Sequence, residues 1–501
     1  MSHSNFDSHA EPMLKSATIS RHQLQVLAVI LAAYSLFLSV GIQSGSHFDS
    51  DDTLYSEMAR QMVESGNWAD NQWGEAIQFE KPPLYLWSLA VSGGLFGWSE
   101  AAMRIPGTLF ALGALAALYL LMLGLGSTTQ QAVFSTLFLA SSYFFILMAR
   151  RLMMDLPMLA CCLAGAAAVT RSSFILFGVF SGLAVLIKGA AAGPLLVALF
   201  VFALWTRVFT RRQIVIAVCT GIAVAAPWHI VESMRYGSEF WSVYLFHHVG
   251  ERATSNIVPG LTLAQLLDAL LLDAPLCLLA LLGAMSFIRK ALRPTLVFAG
   301  LWLVLALLPV LISSTRLPHY LLPALVPLVM ICAFVFVRPN DSKRRLWIMA
   351  GAVVLIQMAV PAQKFWIWYE PDFAPSHKAI ASVLKEAADT DDYTATFNTT
   401  TNALTFYTDR RFDMLTTDER FYEIQEPLFL IRRAGVLKRI GESGISVSSP
   451  YSRRFIVARK QVDRRAVVNS MRKAHPDREL HVLEGPRLEV VNDGGLGEPI
   501  P

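Results

Sequence analysis

The sequence predicts a polytopic α-helical membrane protein of about 11 to 13 transmembrane helices, with a first outer loop of interfacial helices and a small C-terminal α/β soluble domain. Three observations carry that reading. Hydrophobic residues are 54% of the 501 and charged ones 16%, with a mean hydropathy of +0.46, which ordinary soluble domains do not show. Apolar runs of about 17 to 25 residues recur from Leu24 to Pro361, the length of helix that crosses about 30 Å of hydrocarbon. After Pro361 the composition turns to mixed polarity for about 140 residues, enough for one small domain.

The chain opens on about 20 polar residues, and no small-residue cleavage site follows the first apolar run, so that run is expected to remain as an anchor. In order, about eleven runs read as spans: 24–42, 104–124, 131–149, 156–170, 173–189, 191–208, 213–230, 263–288, 295–313, 320–337 and 345–361. Segment 84–98 is short, follows Pro82-Pro83 and contains Gly93-Gly94, which suits an interfacial helix better than a span. With that choice Lys15, Arg21, Arg171, Arg207, Arg211, Arg212, Arg289, Lys290, Arg293, Arg338 and Lys343 to Arg345 all fall on one side. The positive-inside rule makes that side cytoplasmic. The domains expected are a cytoplasmic segment 1–23, a transmembrane domain 24–361 containing the outer loop 43–103, and an outer domain 362–501. In the last, a helical stretch from His377 to Ala388 precedes β-like runs at Tyr393 to Phe397, Leu428 to Ile431, Phe455 to Ala458 and Leu480 to Leu483.

Net charge near +4 is too small to indicate nucleic acid, and all five cysteines lie inside apolar runs, which leaves the tail without disulfides or a Cys zinc site. No glycine-rich phosphate loop is present.

The polar chemistry gathers on the outer face. Asp49, Asp51 and Asp52 follow the first span, and carboxylates at a bilayer edge are costly unless they bind something. They can bind a metal or take a proton from an attacking hydroxyl, although Asp52 can equally cap the helix that follows. Glu80-Lys81 precedes the rigid Pro82-Pro83, and Lys81 can hold a lipid phosphate or form an ordinary surface pair. Arg150, Arg151 and Asp155 break the chain between two spans, either as a self-neutralised anchor or as part of a site. Lys188 ends another span. His247-His248 with Glu251-Arg252 offers a metal site that Glu80 can complete, or a pair of interfacial histidines. Arg316, His319 and Tyr320 lie outside as well, adding a cation and a phenol.

FDSDDTLYSEMARQMVESGNW, FEKPP, RRLMMDLP, LIKG, APWH, HHVGER and STRLPHYLLPALVPL occur in an order that resembles the lipid-linked-sugar glycosyltransferases of the GT-C class. Within that class the sequence is similar to the bacterial lipid A aminoarabinose transferases and, further off, to the protein mannosyltransferases. The resemblance covers about residues 24 to 340. It implies an inverting transfer on the periplasmic face of the bacterial inner membrane, from a sugar carried on a polyprenyl (undecaprenyl) phosphate to a lipid or glycan acceptor, or to a protein. It also implies a cytoplasmic N-terminus and a periplasmic C-terminal domain. By the same resemblance Asp51 is the first-loop catalytic carboxylate, and Asp52 and Asp155 are expected to belong to the catalytic set with it. Glu80 and His248 are metal ligands for Zn, Mg or Mn, while Lys81, Arg252, Lys188, Arg151 and Tyr320 face the donor phosphate. The chain departs from the family at Asp52, where Glu is usual, and at the paired His247-His248. A polyprenyl-linked-sugar flippase would also need intramembrane cations, but transporters place them at mid-bilayer within repeats, and no repeat is visible here. A membrane scaffold would leave the carboxylate-rich first loop unexplained.

Overall fold

The structure is a computed structural model that describes residues 18–43, 51–73, 76–245, 262–273, 288, 293–313 and 316–338, parts of 341–355, and short pieces of the tail. Helix α1 (Arg21–Ser39) starts at a capping box in which Ser20 Oγ accepts from Gln23 N and Gln23 returns a bond to the Ser20 backbone. The same device, Thr-x-x-Gln, opens α5 (Thr129–Ala140) and α10 (Arg211–Trp241). Between α1 and α5 lie α2 (Asp51–Ser65), the short hairpin β1 (Gln72–Trp73) with β2 (Ala76–Ile77), α3 (Leu84–Phe96) and α4 (Glu100–Gly124). Helix α3 has 13 residues, about 20 Å of helix, so it falls short of a span, as its sequence suggests.

The bundle is built around α7 (Asp155–Thr170), reached through the short α6 (Tyr143–Arg150). All of its 16 residues except Ala164 are buried, the mark of a helix that is apolar all round. Packed about it are α4, α8 (Phe174–Lys188), α9 (Gly193–Thr206) and α13 (Leu322–Phe336). Helix α11 (Leu263–Asp273) and α12 (Arg293–Ile312) precede α13, and Trp302 Nε1 of α12 donates to Pro323 O at 2.8 Å. Helices α8 and α10 meet through Gly178 and Gly182. A Cβ on either would lie 2.3 or 2.6 Å from a carbonyl oxygen of α10, so only glycine lets the two backbones approach this closely.

Six helical stretches among the described residues are long and apolar enough to cross a membrane, or seven counting the bent pair α5–α6. The chain is a multi-pass membrane protein. One of the six, Phe174–Thr206, is two helices folded back at Gly189, whose φ is +55°. The rings of Phe174 and Phe209 lie 6.3 Å apart and those of Phe177 and Phe200 5.3 Å, whereas one straight helix would separate Phe174 from Phe209 by about 50 Å. The eleven spans expected from sequence are not all found among the described residues. The run 131–149 bends by 62° at Ser141–Ser142, α7 is too short to cross unaided, and much of 263–288 and 345–361 lies outside the described residues.

In the tail, strands β3 (Tyr393–Phe397), β4 (Asp413–Thr416), β5 (Phe455–Ala458), β6 (His481–Glu484) and β7 (Arg487–Val490) form one sheet in the order β5-β3-β4-β6-β7. The β3–β4 pair is parallel, with Ala395 opposite Asp413, and the other pairs are antiparallel. Three of these strands fall on or within one residue of predicted runs, while Leu428 to Ile431, and His377 to Ala388 apart from Ala381, lie outside the described residues. Helix α14 (Asn402–Thr408) packs on α2: the Arg60 guanidinium stands 6.0 Å from the Phe406 ring, and Tyr407 Oη donates to Glu100 Oε1 at 3.3 Å. Helix α14 and the first loop are therefore on the same side.

Candidate active site

The N-terminal end of α7 collects charges from five separate stretches of chain. Asp155 is its first residue, 4% exposed, and its Oδ1 accepts from Lys188 Nζ at 2.5 Å. Lys188 reaches it because α8 ends there, held by the close α8–α10 packing and turned by Gly189. The Lys188 ammonium also stands 5.4 Å from the ring of Tyr320, in the 3-10 turn Pro318–Leu321 that opens α13. His319, from the same turn, puts Nε2 4.0 Å from Asp155 Oδ2.

Beside this group lies a second pair. Arg151, in the link from α6 to α7, aims Nε and Nη2 at Asp52 Oδ1, at 3.2 and 3.1 Å. Asp52 is 2% exposed. Burial pushes its carboxyl above the ordinary carboxylate range, and the charge and hydrogen bonds of Arg151 act against that push. Asp51 precedes it in the first turn of α2 and lies within electrostatic reach of His319. Lys81 stands in the same relation to Asp155. Asp51, Asp52, Lys81, Arg151, Asp155, Lys188 and Tyr320 thus share one neighbourhood, with Glu80 next to Lys81 in the turn ahead of α3. Arg252 and His248 lie outside the described residues.

Two alternatives left open by the sequence are decided here, and one residue is added. The stretch Arg150 to Asp155 is not self-neutralised: Arg151 pairs with Asp52, and Asp155 pairs with Lys188. Arg150 turns away and donates to the carbonyls of Leu38, at 3.2 Å, and Val40, satisfying the open C-terminal end of α1. Asp52 caps nothing, because α2 already begins at Asp51 and the carboxylate is given to Arg151. His319 was not singled out for the site; its signal was adjacency to Tyr320 in the same motif.

A further cluster ties the first loop to the end of α10. Asp70 accepts from Asn67 Nδ2 at 2.7 Å, Arg235 Nη1 at 2.7 Å and Tyr236 Oη at 3.0 Å. Burial alone would raise its carboxyl, but these three donors outweigh it and hold Asp70 below the ordinary range. Trp228 Nε1 donates to Ala69 O, and Trp87 Nε1 to Trp68 O, so the loop that carries Glu80 and Lys81 is pinned at several points. Among the described residues no group of three or more His, Cys, Asp or Glu gathers to hold a metal ion. Glu80 is the one expected ligand they include.

The family of dolichyl-phosphate-mannose-protein mannosyltransferases matches residues 80–230, a stretch that holds Lys81, Arg151, Asp155 and Lys188. The undecaprenyl phosphate-alpha-4-amino-4-deoxy-L-arabinose arabinosyl transferase 2 of Proteus mirabilis is 27% identical over 326 residues, 61% of this chain and 58% of that protein. The corresponding transferase of Pseudomonas savastanoi pv. phaseolicola is 29% identical over 335 residues, 63% and 62% of the two chains. The crystal structure of ArnT from Cupriavidus metallidurans bound to undecaprenyl phosphate shares the fold with a TM-score of 0.62, at 18% identity, over 83% of this chain and 88% of that one. The chain shares the fold of ArnT and is similar in sequence to the aminoarabinose transferases. It spans about three fifths of the length of the two curated relatives. In this shared fold the charged end of α7 lies on the side occupied by the first loop and the tail helix, where the sequence reading put the outer face.

Proposed function

We propose that the protein is an inverting glycosyltransferase. It moves a sugar from a polyprenyl phosphate, undecaprenyl phosphate in bacteria, to an envelope acceptor: lipid A, a glycan or a protein. The observation that carries this reading is the meeting of buried carboxylates and cations at one end of α7, in a fold shared with ArnT. Relatives named for undecaprenyl-phosphate-linked aminoarabinose transfer support the donor class. The protein sits in the bacterial inner membrane with residues 1–23 cytoplasmic and the loop 43–103 periplasmic. Residues 362–501 form a periplasmic α/β domain.

In the reaction an acceptor oxygen attacks the anomeric carbon from the face opposite the phosphate, the carbon–oxygen bond to phosphate breaks with its electron pair on the phosphate, and Asp51 takes the acceptor proton. Lys81, Arg252 and Lys188 neutralise the released phosphate, with Tyr320 beside them. Asp52 and Arg151 hold the start of α2, and so Asp51, in place. A divalent cation, Zn, Mg or Mn, held by Glu80 and His248 would add charge neutralisation at the phosphate. The test is transfer of labelled sugar from undecaprenyl phosphate to an envelope extract by the purified protein, with and without chelator. Asp51→Asn is expected to lose at least about 100-fold in rate, the usual contribution of a general base, and Glu80→Ala to lose as much and to respond no further to chelator. Wild-type rates in folded Asp51→Asn protein would overturn the assignment.

A further inference from the structure

The Asp155 carboxylate is served unequally. Lys188 Nζ contacts Oδ1 at 2.5 Å, while Oδ2 faces His319 Nε2 across 4.0 Å, longer than a hydrogen bond. This sets two needs in conflict. The donor phosphate requires the Lys188 ammonium, yet Asp155 is 4% exposed, and removing the partner of a buried carboxylate is strongly disfavoured. A second cation at the free side of the carboxylate resolves the conflict. His319 is in that position, its side chain 15% exposed and its ring braced edge-on against Tyr320 at 4.8 Å between centroids.

We propose that His319 is a positioning residue that takes over the Asp155 carboxylate as an imidazolium when Lys188 turns to the donor phosphate. The inference rests on the donor class proposed above. The groups facing His319 are Asp155 from α7, Lys188 from α8, Arg151 from the α6–α7 link, Asp51 from α2 and the adjoining Tyr320. Burial first, and then Lys188 and Arg151, oppose the imidazolium, and the two carboxylates favour it. An arriving phosphate draws Lys188 off Asp155 and adds an anion, and both changes shift the balance toward protonation. Donor binding then takes up one proton from solvent, and the charge on Asp155 is never left uncompensated. By linkage, affinity for the donor falls as pH rises through the histidine range, by up to about tenfold per unit for one coupled proton.

The test uses the full chain in detergent with undecaprenyl phosphate alone as the probe, and measures its Kd from about pH 5.5 to about 8.5, the range that brackets histidine. The lipid phosphate itself gains negative charge near pH 6, which acts in the opposite sense, so His319→Gln is the reference that carries only the ligand's own titration. Relative to that reference, wild type should lose affinity with rising pH by at least about tenfold. His319→Gln should bind weakly at every pH without that fall. His319→Lys, cationic throughout, should bind tightly without it. Thermal unfolding of each variant identifies misfolded protein, and His319→Lys decides the matter if His319→Gln does not fold. A wild-type pH fall retained in His319→Gln overturns the proposal, and so does His319→Lys binding no better than His319→Gln. Wild type whose affinity changes with pH in parallel with His319→Gln overturns it while leaving the donor reading intact. Wild type that binds no undecaprenyl phosphate at any pH overturns the donor reading and the role of His319 with it.

Discussion

Asp52 and Arg151 are 99 residues apart in sequence and 3.1 Å apart in space. Both side chains are largely withdrawn from water, so their mutual attraction mainly offsets the cost of burying them. Deleting one partner strands the other: Asp52→Ala should cost about 3 to 5 kcal/mol. Replacing both by apolar residues of similar size, Asp52→Leu with Arg151→Met, should restore most of that stability, because an apolar pair needs no partner. Thermal unfolding of the two variants in detergent measures the difference, and equal melting temperatures would show that the pair is not coupled. Neither residue could be paired from sequence, where Asp52 reads as a helix start and Arg151 as one of two adjacent arginines. The same holds for Asp155 and Lys188. Sequence marks them as charges out of place in apolar surroundings; the fold decides which neutralises which.

At the scale of elements, the first loop is held by groups that sequence periodicity cannot connect. Asp70 joins it to the end of α10 across 165 residues, through Arg235, and the tryptophans Trp87 and Trp228 add bonds to the same few carbonyls. Because its donors keep the folded carboxyl below the ordinary value, Asp70 contributes stability that is present above the unfolded carboxylate pKa of about 3.9 and is lost as pH falls through the lower folded value. Asp70→Asn should therefore melt lower at neutral pH by about 1 to 3 kcal/mol and show a shallower loss on acidification than wild type. Melting curves from about pH 7 to about 3 test it, since parallel curves for the two proteins would exclude Asp70 from the acid response. The helices themselves were more legible. The apolar runs are local signals that the sequence reading used, whereas the Ser/Thr-x-x-Gln starts and the Gly178–Gly182 contact were recognised only in the structure, although both follow local rules. The bend at Ser141–Ser142 was not legible, because the run 131–149 is apolar on both sides of it.

For the whole molecule, the question is which way the bundle faces. Arg60 beneath Phe406 and Tyr407 on Glu100 tie the tail helix to the first loop, so both must share a side of the membrane. The turn between α9 and α10 holds Arg207, Arg211 and Arg212, all exposed, and α10 runs from that turn to the Asp70 clamp on the first loop. The 25 residues from Arg211 to Arg235, ahead of the non-helical Gly237, are about 37 Å of helix, enough to cross the bilayer, so the arginine turn belongs to the opposite side. A basic turn opposite a carboxylate-rich loop is the asymmetry expected of a cytoplasmic and an outer face. In a cysteine-free background, Ser65→Cys and Thr405→Cys should react with an impermeant maleimide on intact spheroplasts, and Arg207→Cys only after the membrane is opened. Ser65→Cys and Thr405→Cys on opposite sides would refute the packing of α14 on α2. Reaction of Arg207→Cys alone from outside would invert the molecule, and would put the charged end of α7 in the cytoplasm, where a donor displayed on the outer leaflet could not reach it.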